Sequence, residues 1–163
     1  MIVAMRRVRP SSASRGCRFH GVEPHVLRAS KALSQSSAAA NFQGAVRNHK
    51  LTGDDTEIEV LSVWFPAGGR TNCHTHAVDQ LLLVTEGEIA VGIGADRKLL
   101  RVGEMIVIPS GVWHWHGATP SLDACHLSIK APSASDWGEP PAADRVEFDA
   151  YDDWDLWVQA VSD

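Results

Sequence analysis

The chain has 163 residues and a mass of 17.7 kDa, with 44% hydrophobic and 21% charged residues, the balance of one globular domain with chain to spare for a tail. No run of about 18 apolar residues occurs, which excludes a membrane-spanning helix, and a formal net charge of −5 sets nucleic acid aside as a default partner. Three cysteines, Cys17, Cys73 and Cys125, are too few and too scattered for a disulfide framework and suit a reducing, cytoplasmic setting.

Residues 1–40 carry seven Lys or Arg against Glu23 alone, and run out through Ser34-Gln-Ser-Ser-Ala-Ala-Ala40. With neither strand alternation nor a helical stripe, they are expected to form a disordered leader. Their Arg-rich, Ser-rich character also fits an organellar import segment. From Asn41 the texture changes to short β-branched and apolar runs punctuated by turns. Glu57–Phe65, Gln80–Thr85, Glu88–Ile93, Leu99–Val102, Met105–Ile108, Val112–His116 and Ala124–Lys130 are predicted strands, with Glu86-Gly87 as a hairpin turn. Their spacing, with no helical segment between them, predicts an all-β sandwich or barrel over 41–131. Val63, Phe65, Leu82, Val84, Ile106 and Ile108 are its expected lining. The tail, 132–163, has nine acidic residues against Arg145. Tyr151, Trp154, Trp157 or Val158, and Val161 recur there at the spacing of a short amphipathic helix.

Five of the eight histidines fall between residues 74 and 126: His74-Thr-His76, His114-Trp-His116 and His126. Side chains at i and i+2 of a strand share a face, so each closely spaced pair presents two imidazoles together. Two such pairs in one small β domain point to a metal site, because neutral imidazole is the commonest protein metal ligand. Gln80, four residues past His76, can add an oxygen. Cys73, Cys125, Trp113 and Trp115 alternate with the histidines and are expected on the opposite faces, as packing residues. His20, His25 and His49 fit no constellation. Arg70, just before the first pair, is expected at the surface, with contact to an anionic substrate as the alternative.

Gly69-Arg-Thr-Asn-Cys-His74-Thr-His76-Ala-Val-Asp-Gln80, running on to Gly87, resembles the first cupin motif, and Gly103-Glu-Met-Ile-Val-Ile-Pro109-Ser-Gly111-Val-Trp-His114 resembles the second. The resemblance implies a double-stranded β-helix, the cupin jelly roll, with one divalent metal inside its mouth. Gln80 stands where the first motif usually has Glu, and Ala118 where the second often has Asn. Together with His116 and His126, that set is similar to the bacterial cupin hydroxynitrile lyases, manganese-dependent enzymes acting on cyanohydrins. Carried onto this sequence, the likeness makes His74, His76, Gln80 and His114 the metal ligands, with His116 and His126 beside the open coordination position. Manganese is the implied ion, with Fe, Zn, Ni or Co as alternatives.

Three His and one Gln leave a divalent ion its full charge, which favours Lewis-acid over redox chemistry. His126, and after it His116, is then the expected proton acceptor for a small hydroxyl-bearing substrate. The leading expectation is a metal-dependent carbon–carbon lyase of the hydroxynitrile type. A cupin dioxygenase, a sugar-acid-converting cupin and a non-catalytic small-molecule binder are the alternatives. Cupins of this kind imply a homodimer.

Overall fold

Alternation of side chains about an extended backbone dictates the architecture. The computed structural model describes residues 25–94 and 96–141. They form β1 (Gln35–Ser36), β2 (Phe42–Gln43), β3 (Arg47–Lys50), β4 (Glu59–Phe65), β5 (Arg70–Thr71), β6 (Thr75–His76), β7 (Gln80–Glu86), β8 (Glu88–Ile93), β9 (Asp96–Arg101), β10 (Met105–Ile108), β11 (Trp115–Ala118), β12 (Ala124–Lys130) and β13 (Ser135–Asp136). In β7, Gln80, Leu82 and Val84 are buried while Leu81 and Leu83 are half-buried. In β12 the residues sharing a face are His126, Ser128 and Lys130, all buried.

Six strands pair in the order β1-β3-β4-β12-β7-β10 and five in the order β2-β5-β11-β8-β9, while β13 pairs with β6. Between the two larger sheets lies a core that includes Val63, Phe65, Leu82, Ile89, Leu100 and Ile108. This is the expected all-β jelly roll, and every expected lining residue is in the core or packed against it. No helix among the described residues is long and apolar enough to cross a membrane. The expected tail helix, Tyr151 to Val161, lies outside the described residues, as do residues 1–24.

Three local expectations are corrected. Glu86-Gly87 is not a hairpin, because β7 pairs with β12 and β10 whereas β8 pairs with β11 and β9. The chain instead crosses from one sheet to the other there. Gly87 has φ +65, and a Cβ on it would lie 2.2 Å from the Asp123 carbonyl oxygen, so only glycine fits the crossing. A one-residue shift in the pairing of β12 with β7, between Cys125 and His126, accompanies it as a bulge.

Next, the leader gives way to structure before residue 40. Lys31–Leu33 form a 3-10 turn, and β1 pairs with β3. What holds it is polar: Arg47 Nε donates to Ser34 Oγ at 2.8 Å, and Asn48 Nδ2 donates to Ser37 Oγ at 2.9 Å. Pairing at the other end, of β13 with β6, likewise passes the expected limit at 131. Last, the strand expected over Val112–His116 begins at Trp115, because His114 is taken up by a bridge to His74.

β11 runs so close to β5 that a Cβ at Gly117 would lie 2.4 Å from the Gly69 carbonyl oxygen and 2.6 Å from Arg70 Cα. Gly117→Ala is therefore expected to destabilise the fold by about 1–3 kcal/mol through overpacking, measured as a lower urea midpoint.

Candidate metal centre

Backbone pairing brings the two histidine pairs together. His74 N donates to His114 O and His114 N to His74 O, each at 2.9 Å. With their backbones locked, the two rings face each other at 4.2 Å between centroids. His76, two residues on, brings its ring to 5.0 Å from His74. One nitrogen from each of His74, His76 and His114 lies within 4.8 Å of the others, and all three residues are buried.

Their outer nitrogens are occupied. His74 Nδ1 lies 2.9 Å from the carbonyl of Asn72, and His114 Nδ1 3.0 Å from that of Val112. A carbonyl only accepts, so both rings carry hydrogen on Nδ1 and keep the Nε2 lone pair. His76 Nδ1 meets Ser135 Oγ at 3.2 Å, while its Nε2 is buried without a partner. Buried polar atoms are rarely left so. Gln80, the first residue of β7, donates from Nε2 to Ser128 Oγ at 2.9 Å, and its Oε1 lies 3.0 Å from His114 Nε2, acceptor against acceptor, as two ligands of one cation would. Three imidazoles with inward lone pairs, one of them orphaned, can hold a divalent ion, and a hydrogen-bond partner on the outer nitrogen of each ring, here two backbone carbonyls and a hydroxyl, is usual at such sites.

The remaining pair lies alongside. His126 Nε2 is 3.0 Å from His116 Nδ1, and the His116 ring is 5.3 Å from that of His74. Phe65 packs against both, at 5.9 Å from His116 and 5.4 Å from His126, walling them off from water. Burial is the leading cause of depressed basicity at all five rings. His76, His114 and His126 fall to about 4, and His74 and His116 lie well below the ordinary imidazole value. Next after burial comes the charge of His114 at His74, of His126 at His116 and of Lys130 at His76. The five imidazoles are therefore neutral, with lone pairs open to a cation, at neutral pH.

A cavity of about 130 Å³ opens onto these groups. His74, His76, Gln80 and His116 are in its wall, together with apolar Phe42, Leu61 and Val63. His126 is not in that wall. It sits behind His116, so the order expected from the sequence, His126 first, is the reverse of their order from the cavity. Trp137 also lines the cavity and stacks on His74 at 4.4 Å.

Lys130, Glu59 and Ser128 belong to the wall as well and had not been singled out from the sequence. Ser128 and Lys130 share the strand parity of His126, which was the available signal. Glu59 had none. Cys125 lies on the opposite face of β12, 3.3 Å from Ser62 Oγ, and Trp115 packs with Ala90, Cys73 and Trp113. The Arg70 guanidinium lies over Trp115 and its Nε donates to Gln43, away from the cavity wall. Of the unassigned histidines, His49 accepts from the Ser30 amide, His25 is exposed and His20 lies outside the described residues.

Because these imidazoles are neutral when folded and titrate near 6.5 when unfolded, acid favours the unfolded chain. Stability of the metal-free protein is expected to be full above pH 6.5 and to fall as the pH drops toward about 4. Each such histidine should contribute on the order of 1 kcal/mol per pH unit, read from urea unfolding across that window. Titration with Mn²⁺ or Co²⁺ should bind one ion per chain and raise the melting temperature. At 100-fold excess over Kd the gain is about 2.7 kcal/mol, and His76→Ala should abolish it.

The family described as "Cupin domain" matches residues 61–129. The (R)-mandelonitrile lyase of Granulicella tundricola is 33% identical over 120 residues, covering 70% of this chain and 92% of that protein. A cupin-like protein from Thermotoga maritima superimposes with a TM-score of 0.59 at 27% identity, over 69% of this chain and 91% of its own. A cupin-2 domain protein from Rhodospirillum rubrum gives 0.61 over 80% and 88%, and at 17% identity it bears on the fold alone. The matched span takes in both histidine pairs and Gln80, and on that ground the chain belongs to the cupin superfamily.

Proposed function

We propose that this cupin is a metal-dependent carbon–carbon lyase that cleaves a small cyanohydrin to a carbonyl compound and cyanide. His74, His76, Gln80 and His114 are the assigned ligands of one divalent ion, manganese in the first instance. One observation carries the proposal: a neutral imidazole, His116, stands in the same cavity wall as His74 and His76 of the triad and is backed at 3.0 Å by a second, His126. The likeness to a mandelonitrile lyase supports the choice of substrate.

An ion held there supplies Lewis acidity, which makes a nearby hydroxyl easier to deprotonate. The protein's own groups do the rest. His116, with its Nδ1 turned to His126, offers Nε2 to the substrate hydroxyl and takes its proton. His126 positions that ring and shares the resulting charge across the 3.0 Å contact. As the hydroxyl becomes a carbonyl, the bond to the nitrile carbon breaks and cyanide departs with the electron pair. Phe42, Leu61 and Val63 receive the apolar substituent.

We further assign the homodimer interface to the outer face of the six-stranded sheet. Met105 and Val107, 56% and 55% exposed, stand there beside the half-buried Leu81 and Leu83. The few, scattered cysteines of the chain favour a cytoplasmic setting.

Mn-loaded protein is expected to release cyanide from mandelonitrile well above the chelated apoprotein. His116→Ala should lower kcat by ~10²- to 10⁴-fold, the range for loss of a general base, with the metal still bound. His126→Ala should cost less and shift the pH profile. No release from a metal-loaded sample would overturn the lyase assignment.

A further inference from the structure

Strand β12 carries three polar side chains on its buried face: His126 beside His116, Ser128 against Gln80, and Lys130 in the wall of the cavity. Lys130 is unusual among them, since lysine is almost never fully buried without a strong reason. Its side chain is 6% exposed. The ammonium donates to Glu59 Oε1 at 2.8 Å and to Ser133 O at 2.6 Å. An ammonium has three N–H groups, and these two acceptors satisfy two of them.

Glu59 is not committed to Lys130 alone. Its other oxygen lies 3.7 Å from Lys50 Nζ, and its side chain is 20% exposed. The carboxylate therefore has a second cation within reach, Lys50, which it would share with Asp54, and it is the more exposed partner, at 20% against 6% for the Lys130 side chain. Taking two charges out of water to form a buried ion pair gains little stability over apolar residues of the same size. A cation with a spare donor, a displaceable counter-ion and a place in a ligand cavity has the features of an anion receptor.

We infer that Lys130 is the anion-binding group of this cavity, taking a small negatively charged part of the ligand while Glu59 swings toward Lys50. Glu59 stands in for that charge until the ligand arrives. Two sources share the chemistry: a pseudohalide anion such as departing cyanide, and the carboxylate of a 2-hydroxy acid of the same size. The inference rests on the cavity being the ligand site proposed above, but not on the reaction. It deepens that assignment by fixing where the ligand's negative charge lies.

Binding without turnover tests it. Isothermal titration of the metal-loaded full chain would use azide as the linear monoanion, mandelate as the carboxylate and mandelamide as the uncharged counterpart. Lys130→Met is expected to weaken anion binding about tenfold or more, while Glu59→Gln strengthens it several-fold. Mandelamide should be indifferent to both. The pair Lys130→Met/Glu59→Gln removes both charges together and guards against misfolding of the single variant, and it should bind anions as weakly as Lys130→Met. Loss for azide alone assigns the group to the departing anion, loss for mandelate alone to a carboxylate, and loss for both to either. Equal changes for anions and mandelamide, or Lys130→Met and Glu59→Gln acting in the same direction, would show a structural ion pair and overturn the inference. Absence of cyanide release with these shifts intact would overturn only the lyase assignment.

Discussion

Two reciprocal hydrogen bonds of 2.9 Å between the backbones of His74 and His114 are what the rest of the centre depends on. They join two loops forty residues apart in the chain. The same bridge fixes each ring against the carbonyl two residues before it, Asn72 for one and Val112 for the other. That repeated local geometry settles the tautomer of both. His76 and His116 then follow by strand parity alone, and Gln80 closes the set from β7. The centre is thus assembled by main-chain pairing, with side chains only completing it.

The interior is divided. Ile89, Leu100, Ile108 and Ala118 belong to an aliphatic core, while the imidazoles gather at the cavity, with Phe65 in contact with both His116 and His126. This division matters for chemistry because burial suppresses protonation. A proton and a metal ion compete for the same lone pair, and desolvation by the surrounding sheets handicaps the proton. It also makes each imidazole a modest base, which is why the reaction proposed above would call on a polarising cation beside His116.

Much of this was legible in the sequence, for a physical reason. Period-2 alternation exposes itself in strands buried on one face, so β7 and β10 and the parity of His74, His76, His114 and His116 could be read directly. What stayed hidden depends on partners distant in the chain. Pairing of β1 with β3 rests on Arg47 and Asn48 reaching Ser34 and Ser37, which leaves no hydrophobic trace. Glu86-Gly87 has the chemistry of a hairpin turn, and only the preference of β7 for β12 reveals it as a crossing. The relative depth of His116 and His126 is a matter of which strand lines the cavity, a property no spacing encodes. Lys130 ends a predicted strand, and the acceptors that keep its ammonium indoors, Glu59 and the Ser133 carbonyl, come from elsewhere in the fold.

The crossing at Gly87 also governs how the molecule comes into being. Since β7 and β8 do not pair with each other, β8 has a local partner only in β9, and its other edge must wait for β11. β7 must wait for β10 and β12, which arrive later in the sequence. Folds dominated by such non-local pairing pass through costly loop closure before contacts reward it, and they fold slowly. Until β11 is in place, His114 has no fixed relation to His74, and an ion meets only the half-site His74-Thr-His76. Metal loading of the triad would accordingly be a late event, selecting finished molecules and slowing their unfolding more than guiding their assembly.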